Sequence, residues 1–120
     1  MNIYKSSEDY LETILILSKD KQYIRAIDIV ENMNFSKPSV SIAMKKLREN
    51  GYINVNNNGH ITLTEEGLKI ASNVYERHQI LTKALIALGV NEDVAKEDAC
   101  KLEHDLSEES FQALKRYFNK

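Results

Sequence analysis

Among 120 residues there are one cysteine, one proline and four glycines, and no apolar run long enough to span a bilayer. Each scarcity excludes something. One cysteine cannot close an internal disulfide, which fits a reducing cytoplasm. With proline and glycine so rare, few positions break a helix, so long helices are expected. A membrane-spanning helix needs about 20 consecutive apolar residues, and the opening Met1-Asn2-Ile3-Tyr4-Lys5-Ser6 lacks the apolar stretch of a secretion signal. Internal repeats, low-complexity tracts and a glycine-rich phosphate-cradling loop are also missing. What is present, 42% apolar and 28% charged residues, reads as a globular cytoplasmic chain of one domain, or of a small domain with an appendage.

Net charge is −2, which taken alone argues against a nucleic-acid partner. The distribution says otherwise. Residues 1–64 carry 8 Lys/Arg and 7 Asp/Glu, whereas residues 65–120 carry 8 and 11. Within the first part, Ser36 to Asn50 holds four basic residues and one acidic one. This segment reads as a helix, with Ser36 as N-cap, Pro38 in the first turn and Gly51 as the stop. Val40, Met44 and Leu47 face inward, leaving Ser39, Ser41, Lys45 and Arg48 outside or beside that stripe. A short helix precedes it, with Ile24, Ile27, Val30 and Met33 three apart, then a break at Asn34-Phe35-Ser36. Short helix, tight turn and second helix with small polar residues at its start make a helix-turn-helix. Tyr52–Val55 and His60–Thr64 then alternate around Asn56-Asn57-Asn58-Gly59, a β-hairpin with an Asn-Gly turn. A hairpin directly after a recognition helix is the wing of a winged helix. His60 reads as a surface residue of that hairpin.

Helices flank this unit. The first is expected from about Ser7 to Lys19, capped by Ser6 or Ser7, with Leu11, Ile14, Leu15 and Ser18 as its inner stripe. Asp9 and Glu12 share the opposite side of that wheel, either as two solvated carboxylates or as ligands if they face a site. A long helix is expected from Glu65 to Leu88, capped by Thr64 and ended by Gly89, with Ile70, Val74, Leu81, Leu85 and Leu88 as its stripe and His78 inside it. That stripe outruns the winged-helix core, and its surplus suits burial in a second subunit. Asn91 starts another helix, and Ser107 caps a last one ending near Phe118.

The helix after Asn91 carries Asp98-Ala99-Cys100-Lys101-Leu102-Glu103-His104. Ala95, Ala99, Leu102 and Leu106 form its core stripe. Cys100, Glu103 and His104 form a second stripe away from it, since residues three and four apart share a helix face. Thiol, carboxylate and imidazole together suit a divalent metal, but one helix rarely completes a shell, so other elements must contribute. A Cys100–His104 nucleophile pair lacks an oxyanion donor set, and no enzyme is expected. Periodicity and charge thus point to a dimeric winged-helix DNA binder with a ligand-rich C-terminal part.

The whole chain also resembles the diphtheria-toxin-repressor family of metal-dependent transcriptional regulators, with its iron and manganese branches. The matching stretches are Glu8-Asp9-Tyr10-Leu11-Glu12, Ser36-Lys37-Pro38-Ser39-Val40-Ser41, Gly51-Tyr52-Ile53, Arg77-His78 and Glu97 through Ser107, in the family's order and spacing. The resemblance implies a mainly α fold, with a winged helix-turn-helix DNA-binding domain at residues 1–64 and a helical metal-binding and dimerisation domain at 65–120. Carried over, its metal ligands are Asp9, Glu12, His78, Cys100, Glu103 and His104. Asp9 is similar to the manganese branch and Cys100 to the iron branch. Thr82 and Lys96 stand where the iron branch has a glutamate and a histidine of an ancillary site, so the resemblance leaves one or two ions per subunit open. With the sequence ending at Lys120, the SH3-like domain of many iron-branch members is not expected.

In function, the resemblance implies a homodimeric repressor in the cytoplasm. It binds double-stranded operator DNA when loaded with Mn2+ or Fe2+ and controls metal-homeostasis genes. Ser36, Lys37, Pro38, Ser39, Ser41, Lys45 and Arg48 make up its DNA surface, with Ser39 and Ser41 near base edges and Lys45 and Arg48 on phosphates. The alternative is a winged-helix DNA-binding or protein-interaction module indifferent to metal, which would not need Asp9 together with Cys100, Glu103 and His104.

Overall fold

The computed structural model describes residues 5–118. In chain order these form α1 (Lys5–Asp20), α2 (Ala26–Met33), α3 (Lys37–Glu49), β1 (Ile53–Val55), β2 (Ile61–Leu63), α4 (Glu65–Ala87), α5 (Glu92–Leu102) and α6 (Glu108–Phe118). The fold is mainly α, a winged helix-turn-helix followed by helices. Two compact units result, residues 1–72 and 73–120, with the boundary inside α4.

The first unit is built on one apolar cluster. Tyr10, Leu11 and Ile14 of α1 join Ile24, Ile29, Val40, Met44, Leu47, Ile53, Ile61 and Ala71. Burial keeps the Tyr10 phenol protonated to higher pH than usual. Between α2 and α3 the chain reverses through Asn34, which takes the left-handed conformation at φ 57°, a region that asparagine tolerates better than most residues. Ser36 then caps α3, its Oγ accepting from the Ser39 amide at 3.2 Å, and Gly51 at φ 80° releases the chain from α3. β1 and β2 pair antiparallel with Ile53 opposite Leu63, and the Ile61 amide donates to the Ile24 carbonyl at 2.7 Å, fastening the hairpin to the strand-like residues before α2.

One junction is unusually close. The Thr64 hydroxyl donates to the Gly51 carbonyl at 2.7 Å and accepts from the Gly67 amide at 3.1 Å. A Cβ at Gly67 would lie 2.0 Å from the Tyr52 carbonyl oxygen, so only glycine fits where the first turn of α4 passes the residue that leads into β1.

In the second unit Val74, Ile80, Leu81 and Ala84 of α4, Ala95 and Ala99 of α5, and Phe111 of α6 are buried. Asn91 caps α5 by accepting from the Asp93 amide at 2.9 Å, and Ser107 caps α6 through the Ser110 amide at 3.1 Å. Among the described residues no helix is long and apolar enough to cross a membrane.

Several expectations need correction. Ser6 and Ser7 lie inside α1, which is already helical at Lys5, so neither is its cap. Ser18 is exposed and bonds back to the Leu15 carbonyl at 2.7 Å, while Tyr10 takes the core position. Of the two readings of Glu12, the solvated one does not hold, since its side chain is buried. Ile27 is exposed and Ile29 is buried, because a strict spacing of three drifts around a helix of about 3.6 residues per turn. Asn58 does not take positive φ, and the connection runs from Asn56 to His60 around Gly59 at φ 77°, so it is a longer loop than an Asn-Gly turn. Leu102 is exposed and Glu103 buried, the reverse of the expected phase, because α5 ends at Leu102 and the chain turns there.

Candidate metal centre and nucleic-acid interface

Burial of Glu103 is the point from which the second unit's chemistry develops. Its side chain is wholly buried at the C-terminal end of α5. Oε2 lies 3.0 Å from Nδ1 of His78, which α4 presents part-buried. Oε1 has no hydrogen-bond partner among the described residues; Nε2 of His104 stands 3.5 Å from it. The Cys100 thiol, exposed on α5, has its Sγ 3.8 Å from the same His78 nitrogen. Donor atoms of His78, Cys100 and Glu103 all lie within 4.8 Å of one another. A buried carboxylate oxygen without a hydrogen bond is costly, and a cation satisfies it. The imidazole, thiol and carboxylate set suits a divalent transition ion. These residues therefore fit a metal.

Arg77 holds this arrangement in shape. Its Nη1 donates to the main-chain carbonyls of Glu103, at 3.3 Å, and of Leu106. Nη2 donates to Glu108 Oε2 at 2.9 Å, and the guanidinium carbon lies 5.1 Å from the centre of the Phe111 ring. Hydrogen bonds from Gln112 and then Arg77 hold the Glu108 carboxyl below its ordinary pKa. Pattern reading gives Arg77 no role, since all these partners lie far along the chain. The only signal is its place beside His78.

Beyond His78, a cavity of about 400 Å³ is lined by Gln79, Thr82, Lys83, Ile86 and Lys96. Thr82 and Lys96 supply a hydroxyl and an ammonium there, and Lys96 pairs with Glu92 at 3.1 Å. Asp9 and Glu12 sit on α1 of the first unit, Asp9 half-buried and Glu12 buried.

The first unit presents a different chemistry. Ser36, Lys37, Pro38, Ser39, Ser41, Lys45 and Arg48 are all exposed on or just before α3. The Ser36 hydroxyl donates to Ser39 Oγ at 2.8 Å, so these two serines form one polar cap at the start of the helix. A groove of about 320 Å³ separates α3 from the hairpin, with Ser41, Met44, Lys45 and Arg48 on one wall and Val55, Gly59 and Ile61 on the other. Tyr23 stacks on His60 with ring centres 4.3 Å apart, and Arg25 Nη2 meets His60 Nε2 at 3.2 Å. His60 is thereby held by the segment preceding α2.

Comparison with known proteins covers both units. Residues 2–61 match the family model described as iron dependent repressor, N-terminal DNA binding domain. Residues 64–120 match iron dependent repressor, metal binding and dimerisation domain. An HTH-type transcriptional regulator of Methanocaldococcus jannaschii is 36% identical over 118 residues, 97% of this chain and 94% of that protein. The transcriptional regulator MntR of Escherichia coli is 34% identical over 113 residues, 94% of this chain and 73% of that protein. The solved structure of the manganese regulator SloR is similar with a TM-score of 0.84 at 32% identity, covering 99% of this chain and 55% of that chain. The chain thus spans about half the length of that solved relative. With both units matched in order and nearly every residue covered, the chain belongs to the iron dependent repressor family, whose members are transcriptional regulators and not enzymes.

Proposed function

We propose that this chain is a cytoplasmic, homodimeric repressor that binds operator DNA when loaded with Mn2+ or Fe2+, and so controls metal-homeostasis genes. The observation that carries the reading is the buried Glu103, with one oxygen on His78 and the other without a hydrogen bond among the described residues, next to the Cys100 thiol. Asp9, Glu12 and His104 complete the donor set with His78, Cys100 and Glu103, which divides the ligands between residues 1–64, the DNA-binding part, and 65–120, the metal-binding and dimerisation part. Manganese is supported by the named specificity of SloR, and the Cys100 sulfur supports iron or a later metal.

When bound, a divalent ion supplies positive charge that offsets the clustered carboxylates. The chain's own residues do the rest. Asp9 and Glu12 repel Glu103 until that charge is offset, which leaves α1 uncommitted. Once they share a site, α1 is tied to the helices of residues 65–120. In a dimer this sets the separation of the two α3 helices to two half-sites about one DNA turn apart. Ser36, Lys37 and Pro38 place the start of α3, with its outward-pointing amides, against a phosphate. Ser39 and Ser41 face base edges, and Lys45 and Arg48 neutralise phosphates.

Duplex binding measured with Mn2+, with Fe2+ and with a chelator tests the switch. Binding is expected with metal and is lost with chelator; equal affinity in all three supports the metal-indifferent module instead. In the loaded protein, Lys45→Ala lowers affinity for every sequence and reduces the slope of log affinity against log salt by about 0.9, the share of one neutralised phosphate. An unchanged slope takes Lys45 out of the interface.

A further inference from the structure

The outer face of α3 carries one side chain that charge and polarity do not explain. Ile42 is 58% exposed in the middle of the helix. Successive helical residues rotate by about 100°, so Ile42 points about 180° away from the buried stripe of Val40, Met44 and Leu47. Pro38, one turn earlier, and Lys45, nearly one turn later, share that outward face, and all three are exposed. Ser41, Lys45 and Arg48 lean to the side that borders the hairpin groove. Ile42 therefore occupies the crest, where a helix lying in a DNA groove approaches the bases most closely.

A branched aliphatic side chain at this crest has a specific chemistry. It offers no hydrogen bond, and in a helix its χ1 is held largely to one rotamer, so its methyl groups are presented stiffly. The Ser39 hydroxyl, one turn earlier, already accepts from the Ser36 hydroxyl. The DNA major groove displays one apolar group on its base edges, the C5-methyl of thymine. We propose that Ile42 is a specificity-determining residue that reads thymine through its C5-methyl in each half-site. The proposal rests on the DNA-binding reading above, and adds an apolar element to a surface so far described by serines and cations.

The test begins with the full-length protein and Mn2+, selecting bound duplexes from a random-sequence library. Each thymine of the enriched sequence is then replaced by uracil, which removes only the methyl group. One thymine per half-site is expected to lose about fourfold in affinity, the equivalent of one methyl group left unburied. Ile42→Ala should bind thymine and uracil equally at that position while keeping the salt dependence of the parent. Ile42→Gln, whose amide can pair with adenine N6 and N7, should shift the preference there from thymine to adenine. Melting temperatures equal to the parent's are expected for both variants, since the replaced side chain faces solvent. Failure to enrich any sequence would overturn the DNA-binding reading itself. An enriched sequence that tolerates uracil everywhere, with the same base preferences in Ile42→Ala, overturns the role of Ile42 and leaves DNA binding standing.

Discussion

His78 Nδ1 and Glu103 Oε2 meet at 3.0 Å, joining α4 to the end of α5 across 25 positions of sequence. The partnership uses half of the carboxylate, and Oε1 stays buried without a hydrogen bond among the described residues. Supplying a cation should therefore stabilise the fold as well as permit DNA binding. At a Mn2+ concentration a hundred times Kd, the gain is about 2.7 kcal/mol. Glu103→Gln should abolish the rise in melting temperature with Mn2+ while folding without metal. A rise as large as the parent's in a Mn2+ titration by scanning calorimetry removes Glu103 from the site.

Cys100 is expected to help set metal preference. Its Sγ stands 3.8 Å from the His78 ring nitrogen and is exposed, within reach of a shared ion. A thiol must lose its proton to coordinate, so affinity through Cys100 strengthens as pH rises. Cys100→Glu, already ionised at neutral pH, should lose Co2+ and Fe2+ affinity more than Mn2+ affinity and flatten that pH dependence. Titrating the three ions into parent, Cys100→Ser and Cys100→Glu at several pH values decides it; one metal ranking and one pH profile for all three excludes the sulfur as a ligand.

Gly67→Ala should destabilise the protein despite alanine's higher helix propensity. Propensity alone favours alanine by about 1 kcal/mol in a helix interior. The new Cβ would meet the Tyr52 carbonyl oxygen at 2.0 Å, a main-chain atom that cannot swing aside. Overpacking of this kind costs about 1–3 kcal/mol or more. Urea unfolding showing a variant as stable as the parent would contradict the tight approach of α4 to β1.

Asp28 gives the fold a defined acid dependence. Its carboxylate accepts from Lys21 at 2.7 Å and from the Arg25 amide at 2.9 Å, and these bonds, the one from Lys21 foremost, lower its pKa from 3.8. A group whose pKa is lower in the folded state contributes fully above its unfolded value and loses that contribution as pH falls through the folded value. Asp28→Ala should cost about 1 kcal/mol at pH 7, the net worth of a hydrogen bond at the start of α2. The gap between parent and variant should close as pH drops below 3.8. A gap that persists unchanged at pH 2, measured by urea unfolding, assigns the loss to packing.

Features governed by near neighbours were legible from the chain. Ser36, Pro38 and Gly51 delimit α3 through bonds and torsions only a few residues apart, and Asn91 and Ser107 do the same for α5 and α6. Val40, Met44 and Leu47 announced the buried side of α3 by spacing. The phase of Leu102 and Glu103 was not legible, because a wheel assumes a helix that continues, whereas α5 stops at Leu102. Arg77 was visible beside His78, but its structural role was not, because its four partners lie 26 to 34 positions away. Ile42 escaped notice because a single exposed apolar residue is ordinary on most surfaces, and only its place opposite the core of α3 gives it meaning.

The Thr64 hydroxyl, bonded at once to the end of α3 and the start of α4, makes the base of α4 a fulcrum. Within the first unit α4 contributes the eight residues from Glu65 to Ser72, an arm of about 12 Å at about 1.5 Å per residue. A tilt of about 5° at the fulcrum moves its far end by only about 1 Å, taking the arm as a rod of that length. The joint therefore keeps the first turns of α4 in register with the helix that ends at Gly51.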